Sequence, residues 1–139
     1  MSFLHRIPVR FDDVDYARIL YYPRAFTFCQ HAFEAFCEAE LGAPLRSLID
    51  ERRLGFPIVH TEADYSAPLQ YGDECQVQLE VERLSERSVT FRYQLWRQGM
   101  TLCVRVKIVQ AAVDLTTFKA CLIPDDLRAR LERHLIAAG

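Results

Sequence analysis

The chain has 139 residues, of which 50% are hydrophobic and 12% aromatic, and its formal net charge is −2. This length suits one domain, and the apolar content is too high for a disordered chain. A charge near zero gives no sign of nucleic-acid binding, which usually shows as a basic excess. No apolar run reaches membrane-spanning length, and the first residues lack the apolar core of a signal peptide. We therefore expect one cytoplasmic domain over residues 1–139, with neither a nucleic-acid partner nor a membrane span.

The 5 cysteines are odd in number, and no pair of them has the close spacing of a metal site. This pattern argues against a disulfide framework and against zinc. We expect the cysteines to be small buried apolar residues in a reducing compartment. A catalytic cysteine with a histidine partner is a second interpretation that the scattered histidines leave open.

The first part of the chain predicts one strand and one long helix. Residues 4–11 alternate between apolar and polar side chains, and Pro8 favours an edge strand. Pro23 suits the first position of a helix, and apolar residues recur from there at helical spacing as far as Leu41. A glycine and a proline then end the helix, and a short second helix is expected over about 45–53.

The remainder of the chain predicts four strands and a final helix. Residues 58–65 form the first of these strands, and three further segments alternate apolar and polar residues with a period of two. These segments are 75–81, 89–95 and 102–108, the last of them reaching 113–114. A helix is expected from Pro124, with Leu127, Leu131 and Leu135 on one face. Strands joined by short turns pair antiparallel, so the expected class is α+β, with a sheet wrapped around the apolar helix.

An acidic loop joins the first strand to the long helix. It contains Asp12, Asp13 and Asp15, followed by the apolar and aromatic residues 19–22. One interpretation is a solvated turn, because aspartate favours turns. Another is a divalent-cation site, although the glycine and closing glutamate of an EF-hand are missing.

A third interpretation of the acidic loop is a catalytic site for carbonyl chemistry. The apolar residues 19–22 would turn the loop inward, and Asp15 would attack a carbonyl or activate water. No Ser, Thr, Asp or Asn stands just before Pro23 to cap the helix, so the N–H groups of Tyr22 and Arg24 would remain open. Such N–H groups at a helix start stabilise the oxyanion of a tetrahedral intermediate.

The ordered set of motifs resembles the 4-hydroxybenzoyl-CoA thioesterase family of hotdog-fold proteins. The closest match is the acidic loop, with Asp13-Val14-Asp15 followed by Ile19-Leu20-Tyr21-Tyr22-Pro23. The other matching segments are Pro57-Ile58-Val59, Tyr65-x-x-Pro68, Asp73, Arg87-Ser88, Val113-Asp114, Lys119 and Pro124. The resemblance therefore runs nearly from end to end of the chain.

This resemblance implies a hotdog fold, in which a five-stranded antiparallel sheet wraps around one long central helix. It implies a homodimer or homotetramer with active sites between protomers, and an acyl-CoA thioesterase that needs neither metal nor cofactor. Asp15 would be the nucleophile or general base, and the backbone N–H of Tyr22 would polarise the thioester carbonyl. The implied substrate-binding residues are Phe56, Pro57, Ile58 and Arg87, with Arg87 facing the nucleotide part of CoA.

Three positions depart from the pattern of that family. Arg18 stands where glycine is common, Ala25 where a tyrosine or similar residue is common, and Gln30 where relatives often have an acid. Arg18 would pair with an aspartate or favour an acyl group that bears a carboxylate. The departures at Arg18 and Ala25 keep open an alternative of another class, a non-catalytic acyl-CoA or acyl-carrier-binding hotdog module. The acyl group, and the choice between nucleophile and general base, also stay open.

Overall fold

The computed structural model of the protein describes residues 2–136. Its elements, in chain order, are β1 (Phe3–Pro8), α1 (Arg24–Glu40), α2 (Leu45–Asp50), β2 (Leu54–Gly55), β3 (Ile58–Tyr65), β4 (Glu74–Leu84), β5 (Ser88–Arg97), β6 (Thr101–Ala111), β7 (Val113–Asp114), β8 (Lys119–Ala120) and α3 (Asp125–Glu132). A short 3-10 turn, Phe11–Asp13, lies between β1 and α1.

The main sheet has 5 strands in the order β1-β4-β5-β6-β3. Every neighbouring pair is antiparallel. In β4 the apolar side chains of Cys75, Val77, Leu79 and Val81 are buried, and the glutamine and glutamate residues between them are more exposed. This alternation places one face of the sheet against α1, and it confirms the α+β hotdog architecture expected from the sequence.

Helix α1 is held against the sheet by an aromatic cluster. Phe36 is fully buried, and its ring packs edge-to-face on Phe3 of β1 and Phe91 of β5 at centroid distances of 5.6 and 5.9 Å. Burying one such side chain contributes about 1.5–3 kcal/mol. Within residues 2–136, no helix is both long and apolar enough to cross a membrane. The contacts of Phe36 hold the C-terminal half of α1 against β1 and β5.

Several predicted boundaries differ from the structure. The first strand ends at Pro8 because the chain then enters the 3-10 turn. The helix predicted from Pro23 begins at Arg24, with Pro23 as its N-cap. Helix α3 ends at Glu132, so Leu135 is not on its stripe but forms a parallel bridge with Val81.

A second, smaller sheet was not predicted. It contains β2, β7 and β8, each of 2 residues. Strand β6 ends at Ala111, and residues 113–114, predicted as its continuation, pair instead with β2 and β8. Two-residue strands have no periodicity from which a sequence could predict them.

Strand β3 lies at one edge of the main sheet and is exposed along nearly all of its length. Ile58 is 50% exposed, Val59 61% and Tyr65 47%. An edge strand whose outer backbone groups have no partner within residues 2–136 is a surface on which another strand can pair.

Candidate active site

The acidic loop folds into a tight hairpin just before α1. Val14 and Leu20 form an antiparallel bridge, and the N–H of Asp15 donates to the carbonyl oxygen of Ile19 at 3.1 Å. At the tip, Arg18 adopts a left-handed φ of 69° and its N–H donates to the carbonyl oxygen of Asp15 at 2.9 Å. The returning arm of the hairpin leads directly to Tyr22 and the helix.

Asp13 anchors this hairpin from within. It is only 7% exposed, and its Oδ2 accepts the N–H of Arg10 at 2.8 Å. Its Oδ1 lies 3.8 Å from Nε of Arg24 in the first turn of α1, and its carbonyl oxygen accepts the N–H of Tyr21 at 2.9 Å. Asp13 therefore joins both arms of the hairpin to the helix start.

The side chain of Asp15 is exposed at the hairpin, so the sequence expectation of an inward-turning loop is wrong for the single chain. Tyr16 is fully exposed and Ile19 is also exposed, whereas Leu20 is buried. The side chain of Asp15 faces outward because it forms a local turn, in which its Oδ1 accepts the N–H of Ala17 at 2.9 Å. This hydrogen bond needs no contact with the core. Oδ2 accepts no hydrogen bond from residues 2–136.

The start of α1 leaves one of the two predicted N–H groups open. Among the described residues, no side chain caps the helix. The N–H of Arg24 is not open, because it donates to the carbonyl oxygen of Tyr21 at 2.8 Å. The N–H of Tyr22 has no acceptor among the described residues. Because a trans peptide directs its C=O and N–H to opposite sides, the bond from Arg24 to the Tyr21 carbonyl turns the Tyr22 N–H away from the helix.

Tyr65, at the end of β3, contacts this helix start, a role that the sequence did not reveal. Its hydroxyl donates to the carbonyl oxygen of Tyr22 at 2.7 Å. Burial raises the pKa of the Tyr65 hydroxyl above its ordinary value, so the group remains protonated at neutral pH. The same ring lines an apolar groove of about 390 Å³ that runs from Ile19 and Leu20 to Pro68.

The predicted substrate-binding residues lie together at the far end of β6. The N–H of Ala111 donates to the carbonyl oxygen of Pro57 at 3.0 Å, and the N–H of Ala112 donates to that of Arg87 at 2.8 Å. The Arg87 side chain is exposed in the turn between β4 and β5. A groove of about 550 Å³ is lined by Phe56, Pro57 and Ile58, together with Gln30 and the aromatic rings of Phe33 and Phe118.

The structure thus forms two groups of predicted site residues rather than one. Asp15 and Tyr22 lie near the Tyr65 end of β3, while Phe56, Pro57 and Arg87 lie near its Ile58 end. The strand has 8 residues. At about 3.3 Å per residue its ends are roughly 23 Å apart, too far for one small acyl group to contact both within one chain.

Residues 2–136 contain neither a cluster of metal ligands nor a fully exposed cysteine. No group of three or more His, Cys, Asp or Glu side chains there is arranged to hold a metal ion. All five cysteines are free, and only Cys121 is partly exposed. Burial raises the pKa of Cys37 and of Cys75 to about 12, which keeps both thiols neutral and poorly nucleophilic.

Comparison with known proteins finds thioesterases and CoA hydrolases both among sequence relatives and among solved structures. The model of the thioesterase-like superfamily matches residues 9–131. A 1,4-dihydroxy-2-naphthoyl-CoA hydrolase from Synechococcus sp. (strain CC9605) is 30% identical over 132 residues, covering 89% of this chain and 85% of that relative.

Two solved structures have the same fold. A thioesterase superfamily protein from Jannaschia sp. CCS1 superposes with a TM-score of 0.91 at 27% identity, covering 98% of this chain and 94% of that one. A gentisyl-coenzyme A thioesterase superposes with a TM-score of 0.83 at 27% identity, covering 92% and 98%. These similarities confirm the expected hotdog thioesterase family. The narrower 4-hydroxybenzoyl-CoA assignment stays a prediction.

Proposed function

We propose that this protein cleaves an acyl-CoA thioester to a free acid and CoA. The chain belongs to the thioesterase-like superfamily and is a thioester hydrolase. The observation on which this proposal rests is the open N–H of Tyr22, which follows the hairpin that holds Asp15. An acid and an amide donor on one short backbone unit would supply the nucleophile or base and the oxyanion donor for hydrolysis of a thioester.

In the proposed reaction, the Tyr22 N–H donates to the thioester oxygen as negative charge develops there. Loss of one such donor typically costs about 10²–10³ in kcat. Asp15 either attacks the carbonyl carbon, giving an acyl-enzyme that water then hydrolyses, or takes a proton from the attacking water. In both routes the C–S bond breaks and the CoA thiolate leaves; the proton taken from water passes to that thiolate or to solvent, and the carboxylate of Asp15 is regenerated. Its Oδ2, which accepts no hydrogen bond from residues 2–136, is the atom available for either role.

We further propose that the working form is a homodimer, or a homotetramer built from dimers, joined through the free edge of β3. If two β3 strands pair antiparallel, the Ile58 end of one lies opposite the Tyr65 end of the other. The Phe56–Ile58 segment and Arg87 of one protomer then approach Asp15 and Tyr22 of its partner. The apolar exposure of Ile58, Val59 and Tyr65 supports this pairing.

The substrate that we propose is an aromatic acyl-CoA. Two of the relatives above are named for a 1,4-dihydroxy-2-naphthoyl and a gentisyl thioester. The groove of about 390 Å³ beside Tyr65 has the apolar lining that an aromatic ring favours. Arg87, exposed and without an ion pair to residues 2–136, is proposed to bind a CoA phosphate through its guanidinium. We propose a cytoplasmic location, where five free thiols would persist.

The test is a panel of CoA thioesters with release of free thiol as the readout. The panel contains 4-hydroxybenzoyl-, gentisyl- and 1,4-dihydroxy-2-naphthoyl-CoA, with aliphatic and dicarboxylic thioesters for comparison. We expect turnover of an aromatic member, and loss of roughly 10²–10⁴ in kcat in Asp15→Asn, the range of general acid–base catalysis. Asp12→Asn is the matched control, because Asp12 is an exposed carboxylate on the same loop.

Each outcome of the panel has a separate meaning. Full turnover by Asp15→Asn would refute the assignment of that residue. Tight binding by the wild-type protein with no thiol release from any compound would favour the non-catalytic acyl-CoA or acyl-carrier-binding module. Activity lost on chelation would favour the divalent-cation interpretation of the acidic loop.

A further inference from the structure

We propose that Tyr65 is a positioning residue, whose hydroxyl holds Tyr22 so that the N–H of Tyr22 faces the thioester oxygen. This inference rests on the proposed function, because it concerns the amide assigned there to the oxyanion. It adds a residue on a distant strand to the machinery of the helix start.

The argument begins with what fixes Tyr22 on each side. The peptide group before it is held through the carbonyl oxygen of Tyr21, which accepts the N–H of Arg24 at 2.8 Å. The peptide group after it leads into Pro23, which has no N–H to donate. That second group is therefore held only through its carbonyl oxygen, by the N–H of Ala25 at 3.3 Å and the hydroxyl of Tyr65 at 2.7 Å.

Of the two hydrogen bonds to the Tyr22 carbonyl oxygen, the one from Tyr65 at 2.7 Å is shorter than the one from Ala25 at 3.3 Å. At 3.3 Å, the bond from Ala25 lies beyond the usual range of N–H···O distances. Without the hydroxyl, the group after Tyr22 would keep one long bond and could rotate about ψ of Tyr22, since the ring of Pro23 locks φ on the other side. The N–H of Tyr22, which lies in the peptide group before it, would then be held by the bond from Arg24 to the Tyr21 carbonyl alone, with nothing fixing Tyr22 on its other side but the long bond from Ala25.

Tyr65 is itself well placed to act as a rigid support. It ends β3, where it pairs with Val104 of β6, so its backbone belongs to the main sheet. Its ring lines the groove beside Leu20, and burial raises the pKa of its hydroxyl, which therefore stays a donor. The support thus connects the sheet to the first residue of the proposed oxyanion site.

The first experiment measures the amide directly and needs no substrate. Tyr65→Phe keeps the ring and removes the hydroxyl, and ¹⁵N relaxation then reports the order parameter of the Tyr22 amide. We expect it to fall from about 0.85, typical of a rigid backbone, toward 0.6. Tyr71→Phe is the matched control, because Tyr71 is exposed and its hydroxyl has no hydrogen-bond partner in residues 2–136. An unchanged Tyr22 order parameter in Tyr65→Phe would overturn the proposal.

The second experiment separates positioning from simple structural support. We expect Tyr65→Phe to lower kcat roughly ten- to a hundredfold, because a misdirected donor weakens transition-state binding. KM and the melting temperature should change little, since the ring and the groove remain. A rise in KM with kcat retained would mean that Tyr65 acts in ground-state binding and would contradict our inference. Absence of thiol release by the wild-type protein across the CoA panel would instead refute the proposed function and leave the relaxation result to decide the role of Tyr65.

Discussion

Replacing Asp13 by alanine should destabilise the protein, although the residue takes no part in the proposed chemistry. The change removes the acceptor for the Arg10 N–H at 2.8 Å in a position that is 7% exposed. A hydrogen bond to a charged group is worth about 1.5–3 kcal/mol, and the half-exposed Arg24 pair at 3.8 Å adds little. We therefore expect a loss of about 2 kcal/mol. At about 3 °C per kcal/mol for a chain of this size, the melting temperature should fall by roughly 6 °C.

The assay is differential scanning calorimetry at one fixed protein concentration, because association makes melting temperatures depend on concentration. Asp12→Ala is the control for a lost loop carboxylate, and Asp15→Asn is the control for a lost catalytic one. Both side chains are exposed, so each should cost less than about 0.5 kcal/mol. If Asp13→Ala melts with the wild type, or Asp15→Asn is destabilised as much as Asp13→Ala, the division between anchor and catalyst is incorrect.

Three further predictions concern the edge strand, CoA recognition and buried thiols. Val59→Lys on β3 should lower the mass measured by analytical ultracentrifugation to that of a monomer, whereas Leu4→Lys on β1, equally an exposed edge position, should not. Arg87→Ala should raise KM for a CoA thioester about tenfold, the equivalent of 1.4 kcal/mol, but leave KM for an N-acetylcysteamine thioester unchanged; equal effects on both would contradict a phosphate contact. Burial raises the pKa of Cys37 and of Cys75 from 9.0 to about 12, so these thiols stay neutral in the folded chain and ionise first in the unfolded one. Their contribution to stability is complete below pH 9 and is lost between pH 9 and 12, at about 1.4 kcal/mol per pH unit for each thiol, which urea unfolding at a series of pH values should detect.

The long elements were predictable because each repeats one physical pattern many times. Strand β4 has 11 residues that alternate between the core and the outer face, and α1 has 17 residues with one buried stripe. Short turns then required antiparallel pairing. The small sheet escaped prediction because its strands have 2 residues each and depend on contacts between distant parts of the chain. The end of α3 could not be predicted for a similar reason, since Leu135 forms a backbone bridge with Val81 of β4 rather than continuing the helix.

The site was only partly predictable. The missing side-chain cap before α1 predicted open N–H groups at Tyr22 and Arg24. Within residues 2–136 the N–H of Tyr22 has no acceptor, but sequence could not show that Arg24 donates its own N–H to the Tyr21 carbonyl. The sequence led us to expect an inward-turning loop with Asp15 as its catalytic residue, whereas the buried carboxylate of this loop is that of Asp13. Asp13 and Asp15 are chemically identical and two positions apart, and only the hairpin geometry decides that Asp13 enters the core. The bond from Tyr65 to Tyr22 joins residues 43 positions apart, which no local pattern encodes.

The exposure of Asp15 and the exposure of β3 have one explanation if a second copy completes the site. A carboxylate in bulk water would be a poor catalyst, because the same charges interact far more weakly there than in a dry crevice. Antiparallel pairing of two β3 strands would cover Ile58, Val59 and Tyr65, and would bring a partner's Phe56–Ile58 segment over the hairpin. On this account, association and catalysis are one property. Val59→Lys should then lower both the mass of the assembly in solution and the turnover rate, and high protein concentration should restore the activity.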